Sequence, residues 1–303
     1  MQTLSEPEAE ESVQRLFAAL GLALATSAAA QPADKSFNSR GVQIRYIEAG
    51  AGDPVLLIHG YTGSIETNWI KSGVFQDLAK DHRVIAFDLR GHGKSGKPTD
   101  PAAYGSDMVD DAIRLLDHLG IQRAHIVGYS LGAIITAKLL TTNPDRFMTA
   151  TLGGHAGYRN WKPEYDRNVE ARATELEQSD VPFRGLVVAM TPSDVPKRTE
   201  EEIRALSAEL AAANDVKALA AYQRAGTRAL NSTDSAMAAV RVPTLGIIGS
   251  LDNVPSMNQL KTVLPSLKLV VIDGATHAGD RGTARRPEFV KAIRDFIDAQ
   301  RGK

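Results

Sequence analysis

The chain has no cysteine, which excludes disulfide frameworks, cysteine nucleophiles, thiolate zinc sites and iron–sulfur clusters. Neither charge is in real excess, since 35 basic and 36 acidic residues leave −1 at neutral pH. No Lys/Arg block interrupts that balance. Nucleic-acid binders carry a basic excess or stripe, so the expected partner is a small molecule and no nucleic acid. The longest apolar run, residues 16–30, has 15 residues, short of the ~20 a bilayer-spanning helix needs. No integral membrane segment is therefore expected in the mature chain. No internal repeat or low-complexity tract follows residue 31. What remains is 303 residues, 43% hydrophobic and 23% charged, enough to bury a sizeable core without covalent staples.

Residues 16–30 read LFAALGLALATSAAA and end in Ala28-Ala29-Ala30 before Gln31. An apolar stretch closed by small residues reads as a secretory signal, so residues 1–30 are expected to be removed and the protein exported. The preceding Glu6, Glu8, Glu10 and Glu11 oppose this, because a signal begins with positive charge. The alternative is an Ala/Leu-rich helix packed on a cytoplasmic domain.

Short β-rich apolar runs recur at 42–47, 55–58, 83–87, 124–127, 148–152, 244–248 and 267–272. Those at 55–58, 124–127, 244–248 and 267–272 are continuous, which suits parallel strands covered on both faces. The run at 42–47 alternates and reads as an antiparallel edge strand. Helical patterns at 73–80, 107–119, 131–142 and 287–300 lie between them. Strand–helix alternation implies an α/β fold with a mostly parallel twisted sheet. Between 154 and 236 the character changes to successive helical stretches at 164–178, 200–213 and 216–230. The expected organisation is a core of 31–153 and 237–303 with a helical insertion at 154–236.

Gly128-Tyr129-Ser130-Leu131-Gly132 sits between a strand and a helix. A serine in such a turn projects its hydroxyl above the sheet edge, with glycines where neighbouring backbone leaves no room. It needs a base and a group to orient that base. His277 follows the last strand by a short loop and reaches the same carboxyl edge, where catalytic groups of parallel sheets collect. His155, at the start of the insertion, is the main competitor. Asp252, just after the strand at 244–248, is the candidate orienting acid; Asp273 and Asp280 are alternatives. A tetrahedral intermediate also needs two donors. The backbone N–H of Leu131 is one candidate, and that of Tyr61, in the loop after 55–58, is the other. His59 is read as tying that loop down.

HGYTGS (59–64), FDLRGHGKS (87–95), GYSLG (128–132), VPTLGIIGSLD (242–252) and GATHAG (274–279) together resemble the α/β-hydrolase fold superfamily, in its order. The likeness covers about residues 40–153 and 240–300, and the intervening helices look like that family's cap. It implies a Ser130–His277–Asp252 triad, a serine acyl-enzyme, no cofactor or metal, and a small-molecule ester substrate. Serine stands where epoxide hydrolases and haloalkane dehalogenases of this fold carry aspartate, which disfavours those activities. HGYTG also lacks the HGGG run of some lipases and esterases. Amide hydrolysis, acyl transfer, peracid formation or a non-catalytic binding role on the same scaffold are the alternatives. Trp161, Leu186, Met190 and Tyr222 are candidate walls of the substrate pocket.

Overall fold

The computed structural model describes residues 32–301, so the signal expected at 1–30 lies outside the described residues. Eight strands form one sheet: β1 (Lys35–Ser39), β2 (Val42–Ala49), β3 (Pro54–Ile58), β4 (Arg83–Phe87), β5 (Ala124–Tyr129), β6 (Phe147–Gly153), β7 (Thr244–Gly249) and β8 (Lys268–Ile272). Their spatial order is β1-β2-β4-β3-β5-β6-β7-β8. The β1–β2 and β2–β4 pairs are antiparallel and the remaining five are parallel. The chain therefore leaves β3, β5, β6, β7 and β8 at one common edge.

Helices α1 (Val74–Leu78) and α10 (Pro287–Asp298) cover one face. Helices α2 (Ser106–His118), α3 (Leu131–Thr142) and α9 (Val254–Val263) cover the other. With both faces covered, β3, β5 and β7 are buried almost throughout, as their unbroken apolar sequences require. Between β6 and β7 run α4 (Pro163–Gln178), α5 (Arg184–Ala189), α6 (Glu200–Ala213), α7 (Val216–Ala229) and α8 (Asp234–Ala238). These helices have an apolar centre of their own, including Leu176, Phe183, Val187, Ile203 and Leu219, against which Tyr61 packs. Among the described residues no helix is long and apolar enough to cross a membrane.

Several elements depart from the sequence-based expectation. The alternating run at 42–47 is β2, one place in from the edge, because β1 pairs outside it. β1 reads KSFNS with only Phe37 as a large apolar residue, so it carries no apolar signal. β8 is not covered on both faces: it is the opposite edge of the sheet, and Val271 is 45% exposed. Helix α5 reads RGLVVA, whose glycine and β-branched residues disfavour a helix. It is held by tertiary bonds, including Gly185 N to Glu175 Oε1 at 2.7 Å. Helix α9 was not among the helical patterns read from the sequence, although its Asn253 cap and Pro255 were available signals.

A buried ionic cluster ties the turn at 88–96 to α2 and to the end of β1. Asp111 on α2 accepts from Arg90 Nε (2.7 Å) and Nη2 (2.6 Å) and from Ser39 Oγ (2.5 Å). Asp111 and Arg90 are both sealed from solvent. Removing one partner leaves a buried charge uncompensated, so Asp111→Ala should cost about 3–5 kcal/mol in urea unfolding, and a loss near zero would refute the pairing.

Histidines also enter the core in neutral form. Burial lowers the pKa of His59, and burial reinforced by a neighbouring histidine pushes His92 down to about 3 and His125 to about 4; the same causes lower half-buried His155, outside the core, to about 4. Each takes up its proton in the unfolded chain near pH 6.5, before it does so in the folded one. Their contribution is therefore complete above that pH and lost as pH falls toward the folded values. Stability should be flat from pH 8 to 7 and then fall by up to about 1.4 kcal/mol per pH unit for each of these side chains. Urea midpoints at pH 7.5, 6 and 5 measure this; an unchanged midpoint at pH 5 would contradict it.

Candidate active site

The turn after β5 is set by backbone contact. Helix α3 begins so close to the end of β3 that a Cβ on Gly132 would lie 1.9 Å from the Ile58 carbonyl oxygen. A Cβ on Gly128 would meet the Gly132 carbonyl oxygen at 2.1 Å. Between these glycines Ser130 adopts φ 54°, ψ −111°, a strained conformation for a residue with a side chain. Its amide donates to Gly153 O at 2.8 Å, which pins the turn to β6. Ser130 is half-buried at the carboxyl edge.

His277 and Asp252 arrive from the ends of β8 and β7. His277 Nε2 lies 2.9 Å from Ser130 Oγ and His277 Nδ1 lies 2.7 Å from Asp252 Oδ2. Both side chains are largely shielded, at 17% and 11% exposed. Asp252 Oδ1 accepts from Asn253 N at 2.7 Å, so both carboxylate oxygens are occupied. The two loops are tied together by Leu251 N to Ala275 O at 3.0 Å. The Tyr129 hydroxyl, buried and with its pKa raised by that burial, donates to the His277 carbonyl at 2.5 Å. The alternative acids turn elsewhere. Asp273 accepts from Ser250 Oγ, and Asp280 faces solvent beside Arg285.

The loop after β3 flanks Ser130 on its other side. A Cβ on Gly60 would stand 3.1 Å from Ser130 Cβ, which brings the next amide, that of Tyr61, beside the serine. Neither Tyr61 N nor Leu131 N donates a hydrogen bond within the protein among the described residues. Fully buried His59 holds this loop: Nδ1–H donates to Gly60 O at 2.8 Å and Nε2 accepts from Leu89 N at 3.0 Å. Buried Asp88 adds a second tie, accepting from Ile65 N (2.8 Å), Lys94 N (2.8 Å) and Arg45 Nη1 (3.0 Å). The sequence DLRGHGKS is thus the brace of the neighbouring loop.

The four expected pocket residues divide. Tyr222 is buried with its ring 5.8 Å from that of Tyr61, and burial raises the pKa of both phenols, that of Tyr61 to about 12. Trp161 lies among Tyr158 and Tyr165 and donates to Asp166 Oδ1 at 2.9 Å. Leu186 packs against the centre of the helical insertion, and Met190 is 37% exposed. Of the four, only Tyr222 is brought against the Tyr61 loop. Sequence reasoning passed over His92, whose ring lies 5.9 Å from Tyr61 and 6.3 Å from Tyr222. Its position in the DLRGHGKS turn was the available signal. No group of three or more metal-ligating side chains occurs among the described residues.

Known proteins agree with this architecture. The chain is 40% identical over 119 residues to 2-hydroxymuconate semialdehyde hydrolase of a Pseudomonas species (strain CF600), covering 39% of this chain and 41% of that protein. It is 34% identical over 159 residues to the dihydrolipoyllysine-residue acetyltransferase component of an acetoin cleaving system from Pseudomonas putida, covering 50% of this chain and 42% of that one. These matches span less than half of each relative's length. The solved structure of Est816, an N-acyl homoserine lactone degrading enzyme, superposes with a TM-score of 0.67 at 26% identity, covering 86% of this chain and all of that one. A family model described as the alpha/beta hydrolase fold matches residues 53–279. On that match and on the sheet that carries it, the chain belongs to the alpha/beta hydrolase fold family.

Proposed function

We propose that this hydrolase cleaves carboxylic esters of small or medium-sized substrates through a serine acyl-enzyme. The observation that carries this is the unbroken hydrogen-bonded chain from Asp252 through His277 to Ser130. His277 Nε2 takes the Ser130 proton as Oγ attacks the ester carbonyl carbon. The resulting oxyanion is held by the Tyr61 and Leu131 amides, which have no competing acceptor within the described residues. His277 then delivers its proton to the departing alkoxy oxygen. In the second half a water loses a proton to His277 and attacks the acyl carbon, releasing the acid and restoring Ser130. Asp252 keeps the proton of neutral His277 on Nδ1 and stabilises the imidazolium formed at each attack. No step calls for a cofactor. The helices between β6 and β7, at 154–236, act as a cap that sets substrate choice.

The likeness to Est816 supports an ester or lactone substrate. A second reading, hydrolysis of a carbon–carbon bond beside a ketone, is favoured by the 40% identity with 2-hydroxymuconate semialdehyde hydrolase. The apolar run at 16–30 supports export.

Hydrolysis of p-nitrophenyl esters of graded acyl length tests the first reading. Wild type should turn over, and Ser130→Ala should lose several orders of magnitude in kcat, retaining at most ~10³–10⁴-fold over water. Turnover of ring-fission ketone substrates with none of any ester would transfer the assignment to the second reading. Asp252→Asn should keep the fold but lower kcat by about 10⁴, because the amide reverses the imidazole tautomer. A loss below about tenfold would remove Asp252 from the mechanism.

A further inference from the structure

One imidazole beside the triad has no part in that reaction. His155 follows β6, just past Gly154, which turns the chain at φ 70°. A Cβ on Gly154 would stand 3.3 Å from His277 Cε1, so His155 is one residue from contact with the base. The segment beyond it is firmly held. Ser232 N donates to Tyr158 O at 3.0 Å, Asn160 N to Ser232 O at 2.9 Å, and Arg159 Nε to Asp234 Oδ1 at 2.8 Å. The Tyr158 ring meets the His155 ring edge-on at 5.3 Å.

Within this frame His155 Nδ1 accepts the Gly157 amide at 3.0 Å. A neutral imidazole whose Nδ1 lone pair is used in this way carries its proton on Nε2. That atom donates to no group among the described residues, and it is not among the sealed polar atoms. His155 therefore has no lone pair to offer as a base and keeps one N–H that has no partner among the described residues and is not sealed from solvent. Sheet order decides which part of a substrate meets it. The Tyr61 loop follows β3 and His155 follows β6, on opposite flanks of β5 and Ser130. The oxyanion lies on the β3 side, and the leaving oxygen must approach His277, on the side of His155.

We propose that His155 Nε2–H is a specificity-determining donor to the leaving group, so that the enzyme favours esters of alcohols bearing an ether, carbonyl or hydroxyl oxygen near the scissile bond. This rests on the ester-hydrolase reading above and names the substrate class for the same site. A preorganised donor facing an apolar leaving group loses its hydration without gaining a partner, which is the source of discrimination.

Acid release from 2-methoxyethyl acetate and butyl acetate, which differ by one oxygen in place of one methylene, tests the proposal with wild type, His155→Phe and His155→Gln. The ratio of kcat/KM values, methoxyethyl over butyl, should fall by about threefold to tenfold in His155→Phe, mainly through KM. It should stay within about twofold of wild type in His155→Gln, whose amide N–H replaces Nε2–H. Partial misfolding scales both substrates together and leaves this ratio meaningful. An identical ratio in all three proteins overturns the proposal while the p-nitrophenyl esters still report on the triad. If wild type hydrolyses none of these esters, the ester reading falls and this inference falls with it.

Discussion

The candidate site depends on how closely the start of α3 can approach the end of β3. At Gly132 the helix backbone meets the Ile58 carbonyl with no space for even a methyl group. That approach turns Ser130 into its strained conformation and leaves the Leu131 amide, at a helix N-terminus, without an acceptor among the described residues. It also brings the Gly60–Tyr61 backbone against the serine from the adjacent strand. In the proposed reaction, developing negative charge would meet oriented N–H groups whose positions the fold has already set. A larger residue at Gly132 would separate the two strands' ends and with them the serine and its neighbouring amides.

Around that contact, several buried polar groups hold loops. His59 and Asp88 brace the loop after β3, while Arg90 and Asp111 lock the turn at 88–96 to α2 and β1. Each pair costs desolvation, and each is satisfied by several bonds rather than one. Buried His59 extends the same pattern, donating from Nδ1 and accepting at Nε2, and neutral His92 and His125 lie where a charge would be expelled. His155 resembles them in chemistry but differs in position, because it is half-buried, follows the Gly154 backbone that approaches His277, and keeps an N–H with no partner among the described residues.

Much of this was legible residue by residue. Continuous apolar runs marked β3, β5 and β7 because burial on both faces demands it. Ser130 and Asp252 follow such runs and His277 follows β8, and parallel strands deliver their loops to one edge, so topology brings the three to the same edge. Where local composition and position in the sheet disagree, the sequence misled. β1 has one large apolar residue, and β8 is apolar although it lies at the sheet edge. Helix α5 forms against its own propensity because Glu175 accepts its Gly185 amide and Ser207 accepts the Phe183 amide just before it.

The pocket shows the same limit. Trp161, Leu186 and Met190 are apolar residues in a helical segment, which is all a sequence can record. Whether such a side chain faces the serine, the insertion's own centre or solvent depends on how helices from distant parts of the chain pack. By itself the sequence determined the α/β architecture, the turn that exposes Ser130 and the chain order of its two partners, because periodicity and glycine placement are local properties. Only the tertiary structure decided that Asp252 rather than Asp273 or Asp280 meets His277. It also decided which histidine holds a loop and which one keeps an N–H with no partner among the described residues. A side chain's direction and its partners are set by contacts between residues far apart in sequence.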